Sequence, residues 1–343
     1  MDRTPASIAV DLIPYDPSGG GDEAVPVGES AALLTIVEAI EARVRAVAKT
    51  APARRDAHPK AHGCVRAEFR VLDDLPDRLR AGLFAQPRTY NAWIRFSNGS
   101  ETPQIDKLGD GRGMAIKLMG VEQSRSTTQD FLMINNPAFF VRNAADYVDF
   151  QTASPPWRFF LPGWNPFRFR LHELLVARAI TGRKTTNPLD IRYWSMTPYL
   201  FGDTACKYSA QPVGPLSPFN DTAAPDFLHD NLVHHLADGG AAFDFMVQLR
   251  AHPDAMPIED PTIEWSESAA PFVPVARITI APQDFDQPTQ RAFCENLSFT
   301  PWHGLDAHRP LGGINRVRRT VYETVSQLRH ELNGVVRQEP TSF

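Results

Sequence analysis

Residues 243–249 read Phe-Asp-Phe-Met-Val-Gln-Leu, with Phe243, Phe245, Val247 and Leu249 standing two apart. That period places the four on one face of a strand that is buried on that side. Working outward, strand-like runs precede it at Thr197 to Phe201 and Ala205 to Ala210 and follow it at Val275 to Ile280. An earlier group covers Val65 to Val71, Asn91 to Ser97, Gly113 to Met119 and Phe131 to Ile134, separated by Gly, Pro, Asn and Asp turns, which predicts antiparallel pairing. Ser30 is expected to cap a helix running to about Lys49, with apolar residues at Leu33, Ile36, Val37, Ile40, Val44 and Val47. Residues 155–188 are rich in aromatics and arginine, and Leu171 to Ile180 has helical composition. Six to eight strands flanked by helices predict an α+β domain built on a sheet or barrel. No linker, repeat or charge block divides the chain, so the reading is an arm over 1–29, one domain over 30–334 and a tail over 335–343.

Composition narrows the function classes. A formal net charge of -5 gives no global attraction to phosphate, which argues against sequence-independent nucleic-acid binding. The three cysteines, Cys64, Cys206 and Cys294, are odd in number and far apart, so they read neither as a disulfide framework nor as a metal cluster. With no signal-like start and no apolar run long enough to span a bilayer, the expectation is a cytoplasmic protein without a transmembrane segment.

The stretch INRVRRTVYETVSQLRHELNG, 314–334, predicts a helix over Ile314 to Leu332 that ends on Asn333-Gly334 in a left-handed cap. At about 100° per residue, Arg318, Tyr322, Val325 and Arg329 fall at roughly 0, 40, -20 and 20°, one narrow stripe in which two arginines bracket a tyrosine. Taken alone, such a helix is more often amphipathic packing with solvated arginines than a site. Upstream, Arg95 and Ser97 lie two apart on a strand and face the same way, and Arg55, His58 and Lys60 precede the first strand.

Five segments occur in a telling order: RRDAHPKAHGCVRAEFRV (54–71), AWIRFSNG (92–99), GDGRGMAIKLMGV (109–121), QDFLMINNPAFFVRNAADY (129–147) and the Arg318-x-x-x-Tyr322 helix. In that combination, over roughly residues 50 to 330, the chain resembles the catalase family. The chain is shorter than typical catalases and more closely resembles the small catalase-related haem proteins, which include peroxidase-like members and the hydroperoxide isomerases called allene oxide synthases. The resemblance implies a catalase-like antiparallel β-barrel with surrounding helices and a C-terminal haem-ligand helix. It also implies haem b held without a C-x-x-C-H attachment, and reduction of hydrogen peroxide or organic hydroperoxides with an unidentified electron donor.

Residue by residue, Tyr322 matches the iron ligand, since an arginine one turn away favours the anionic phenolate. Arg318 is the tuning arginine, and Arg55, Arg95 and Arg329 match the arginines that pair with haem propionates. His58 matches the distal histidine, with His62 open as a rival because one extra residue separates His58 from Phe69. Ser97 would orient that histidine. Asn135 matches the distal asparagine, with Asn136 open, and Tyr147 stands where an aromatic lies against the haem face. Competing readings are a fatty-acid hydroperoxide isomerase, weakened by Ala57 where that group has threonine, and a non-catalytic haem-binding protein. A homodimer is compatible with all of them.

Overall fold

The computed structural model describes residues 22–122, 127–340 and 343. Among them, eight strands close an antiparallel ring: β1 (Ala61–Val71), β2 (Thr89–Asn98), β3 (Arg112–Met119), β4 (Thr128–Ile134), β5 (Tyr193–Trp194), β7 (Thr204–Val213), β8 (Ala241–Leu249) and β9 (Val273–Ile280). The ring runs β1-β2-β3-β4-β5-β7-β8-β9 and returns to β1, while β6 (Tyr199–Phe201) pairs with β7 alongside it. Closure leaves those eight strands without a free edge.

Strand alternation sorts the side chains into two compartments. Phe69, Ile94, Phe96, Met114, Ile116, Phe131, Phe243, Phe245 and Val247 point inward and fill the barrel, where the Phe245 ring packs 4.7 Å from Phe131 and 5.0 Å from Phe69. Their neighbours on β2 to β4, including Arg95, Ser97, Gly113 and Leu132, point outward and meet a helical layer. That layer comprises α1 (Glu29–Ala48), α2 (Ala144–Thr152), α3 (Leu171–Gly182), α4 (Phe227–Asp238), α5 (Pro288–Asn296) and α6 (Gly313–Asn333). Ile36, Ile40 and Val44 of α1 pack on Val317 and Leu328 of α6 and Ala144 of α2, so these three helices form a second core outside the barrel.

Two ends of these helices differ in how well composition forecasts them. The α6 helix stops at Gly334, whose φ of 65° is left-handed, as the Asn-Gly pair implies. The α1 helix begins one residue before the expected Ser30 cap: Gly28 occupies the cap position with φ 89° and no side-chain hydrogen bond. Of the expected N-terminal arm, residues 1–21 lie outside the described residues. The rest is held, since Glu23 and Glu29 pair with Arg316 at 2.8 and 2.6 Å.

Candidate active site

Between the outer face of β2 to β4 and the helical layer lies a cavity of about 740 Å³. Its barrel wall carries Arg95, Ser97, Gly113 and Leu132. Its helical wall carries Tyr147 of α2 and the stripe Val317, Arg318, Val321, Tyr322 and Val325, with Arg329 and Arg55 at one edge and Phe139 and Phe140 on the side. The whole Arg318–Tyr322–Val325–Arg329 stripe read from helical spacing therefore faces this space.

His58 enters from the segment before β1. Its backbone sits in the left-handed region, φ 60°, which a non-glycine residue adopts only when its surroundings hold it there. The holders are visible: His58 N donates to Gly99 O at 3.3 Å, and Arg95 Nη2 donates to His58 O at 2.8 Å. The side chain is fixed as well, with Nδ1 3.0 Å from Ser97 Oγ. Gly113 makes room for the ring, because a Cβ there would come within 2.7 Å of both His58 Nδ1 and Cε1. Burial, followed by the Arg95 and Arg318 guanidiniums, lowers the His58 pKa to about 3, so its imidazole is neutral at physiological pH.

His62 lies elsewhere. Its Nε2 hydrogen-bonds Asn98 Oδ1 at 2.7 Å beside Asp106, away from the cavity. Asn135 stands outside the cavity lining. Its Oδ1 accepts from Arg112 N at 3.0 Å and its Nδ2 donates to Ile180 O at 3.1 Å, so both ends of the amide tie β3 and α3 together. Asn136 is spent on Ala138 O at 2.8 Å. Neither asparagine borders the cavity, and a role for either on a substrate does not follow from its position.

At the cavity edge three guanidiniums lie near one carboxylate, and two of them pair with it. Glu295, at the end of α5, pairs with Arg55 at 2.7 Å and Arg329 at 3.1 Å, while the buried Arg95 Nε has no partner. Burial, followed by repulsion from Arg55, lowers Arg329 to about 10. The excess positive charge fits a ligand carrying two carboxylates. On the helical wall, Arg318 Nη1 is 3.2 Å from Thr197 Oγ1 and 3.3 Å from Asn315 Oδ1, and its guanidinium lies over the Phe139 ring. Tyr147 is half-buried, and desolvation raises its pKa, so it presents a neutral aromatic surface. Glu295, Gly113 and Thr197 escaped sequence reasoning. Glu295 is 240 residues from the arginine it holds and carries no local signal.

Two buried histidines, His62 and His308, and the half-buried His58 are expected to make the fold acid-sensitive. His58 is held down to about 3, and His62 and His308 to about 4, each first by burial. An unfolded chain protonates histidine near 6.5, so below that pH the unfolded state takes up protons that the native state refuses. Stability is therefore expected to fall as pH drops from about 6.5 to about 4, by about 1.4 kcal/mol per pH unit for each histidine at most. The check is the urea midpoint at pH 7 and pH 5; equal midpoints would contradict it.

A family model described as Catalase matches residues 22–156. A catalase-related peroxidase of Mycolicibacterium paratuberculosis (strain ATCC BAA-968 / K-10) is 27% identical over 321 residues, covering 86% of this chain and 95% of that protein. Among solved structures, catalase A from Saccharomyces cerevisiae superposes with a TM-score of 0.65 at 17% identity, over 85% of this chain and 65% of that one. A fungal catalase gives 0.63 at 17% identity, over 85% and 62%. The chain thus spans a little under two thirds of the length of these catalases, keeping their barrel and the helices beside it. Barrel and helical layer share the catalase fold, and over residues 22–156 the sequence matches the Catalase family model.

Proposed function

We propose that this chain is a haem-dependent peroxidase that reduces hydrogen peroxide or organic hydroperoxides at the expense of an organic electron donor. The observation that carries the reading is the placement of His58, held by Ser97, and Tyr322 in the walls of one cavity with Arg55, Arg95 and Arg329 at its edge.

The cavity fits haem b on two grounds. Its volume lies in the range of about 300–1,000 Å³ usual for cofactor sites, and its arginine edge has unmatched positive charge and an orphaned Arg95 Nε for two propionates. Among the described residues no protein group hydrogen-bonds the Tyr322 hydroxyl, which supports the reading that it is free to ligate iron. Bound haem would supply the iron and the redox equivalents for cleaving the O–O bond. The chain's own part is proton handling and positioning. In the tautomer whose Nδ1 donates to Ser97 Oγ, His58 Nε2 would be the free nitrogen that accepts the hydroperoxide proton and could pass it to the leaving oxygen. The net reaction consumes one hydroperoxide, two electrons and two protons, and yields an alcohol and water. Arg318, anchored by Thr197 and Asn315, places a guanidinium one turn from Tyr322 on the cavity wall.

Residues 30–334 would then form one catalase-like haem domain, with the tail 335–343 outside it. No helix among the described residues is long and apolar enough to cross a membrane. The three buried free thiols suit a reducing cytoplasm. A homodimer remains compatible with this reading.

The test compares oxygen release from hydrogen peroxide with oxidation of an added reductant, on protein of known haem content. Reductant oxidation is expected to exceed oxygen release, and organic hydroperoxides are expected to be admitted. Rapid oxygen release with little reductant oxidised would make the protein a true catalase. Rearrangement of a fatty-acid hydroperoxide with no reductant consumed would make it an isomerase.

A further inference from the structure

The segment after α2 carries an unusual surface. Trp157, Trp164, Phe167, Phe169, Leu171 and Leu175 are all exposed, Trp164 to 63% and Phe167 to 97%. Large apolar side chains scattered singly over a surface need no explanation, but six within nineteen residues make a patch. The patch is organised locally. The Trp157 and Trp164 rings meet edge to face at 5.0 Å, and Arg158 lies over Trp164. On α3, Leu171, Leu175 and Arg178 fall on one exposed helical stripe.

The charge of this surface is one-sided. Arg158, Arg168, Arg178, Arg183 and Lys184 are exposed, and among the described residues none is paired with a carboxylate. The nearby acids are already engaged: Glu173 with Arg142, and Asp146 and Asp149 with Arg170. The chain as a whole has a formal charge of -5, so the cations are concentrated against the overall trend. The same segment is also the back of the cavity wall, since Pro156, Phe160, Ala177, Ile180 and Thr181 line the cavity from inside.

We propose that the surface formed by Trp157, Trp164, Phe167, Phe169 and the Leu171–Leu175–Arg178 stripe docks on an anionic lipid bilayer, opening the cavity toward substrates held in that bilayer. Aromatic rings and leucines enter the boundary between headgroups and acyl chains, while the flanking arginines meet anionic headgroups. A second copy of the chain fits less well, because a two-fold contact would set this cationic surface against itself with no free acid to answer it. A nucleic acid would use the aromatic rings for base stacking but leaves the leucine stripe unexplained. The docking stands on the surface residues alone; that the bilayer delivers a lipid hydroperoxide rests on the peroxidase reading.

The full-length protein is sedimented with phosphatidylcholine vesicles and with vesicles in which about one third of the lipid is phosphatidylglycerol, at low and high salt. Sedimentation with the phosphatidylglycerol vesicles, reduced by salt, and a blue shift of tryptophan emission are expected. The combined variant Trp164→Ala, Phe167→Ala, Arg168→Glu is expected to bind about 10-fold or more weakly, with turnover of a water-soluble hydroperoxide unchanged. Failure of the wild type to sediment, equal binding by the variant, or loss of a solution dimer in the variant would overturn the proposal. So would tighter binding to single-stranded nucleic acid than to vesicles. Vesicle binding without turnover of any hydroperoxide would leave the docking standing and remove the peroxidase reading instead.

Discussion

Tyr322→Phe is expected to abolish the normal ferric haem spectrum while leaving the protein folded. Tyr322 is half-buried on the inner stripe of α6, and its ring is flanked there by Val321 and Val325 on the cavity wall. Phenylalanine keeps that ring and its packing. It removes one hydroxyl, which has no protein hydrogen-bond partner among the described residues, so the unfolding midpoint should move little, within about 0.5 kcal/mol. The arginine edge, Tyr147 and the Phe139 wall are untouched, so binding of the porphyrin is weakened without being prevented. What would be lost is the proposed iron ligand. The measurement is the absorption spectrum and iron content of the purified variant beside the wild type. An unchanged ferric spectrum would remove the assignment of Tyr322 and with it the central claim.

The legibility of these parts in the sequence follows their range. Elements decided by local periodicity were readable: Phe243, Phe245 and Val247 do line the barrel, and the α6 stripe faces one cavity from Val317 to Arg329. The helices α2, α4 and α5 were not read. The helices α2 and α5 have 9 residues each and bury only Ala144 and Cys294, so they carry little apolar stripe to detect, whereas α4 does carry one in Phe227, Leu228, Leu232 and Leu236. Asn135 shows a different limit. An asparagine pair before a proline resembles a substrate-facing amide in one dimension, but the end of β4 needs its side chain to satisfy Arg112 N and Ile180 O. Glu295 and Gly113 matter through what crosses to them from distant parts of the chain, a guanidinium in one case and an imidazole in the other. Tertiary contacts of that kind leave no spacing to count.

His58→Ala is expected to lower peroxide turnover by about 10²–10⁴-fold with haem still bound, because a base on the substrate side of the cavity moves protons and does not hold iron. The geometry around it is specific to that task. Ser97 fixes Nδ1, Gly113 leaves the ring room, and Arg95 clamps the backbone carbonyl, so the imidazole has one orientation in which Nε2 can act. Its depressed pKa keeps it unprotonated, so turnover should show no acid limb near the ordinary histidine value of about 6.5. His62→Ala provides the contrast, since the two residues are four apart and either satisfied the sequence pattern. His62 is buried against Asn98 and Asp106, and its removal deletes that buried hydrogen bond, at a cost of about 1–3 kcal/mol of stability, while turnover per haem should stay near wild type. Measuring turnover per haem and the unfolding midpoint for both variants separates a base from a structural histidine. If His62→Ala loses activity at wild-type stability and His58→Ala keeps it, proton transfer belongs to His62 and the placement of His58 in the cavity wall has another purpose.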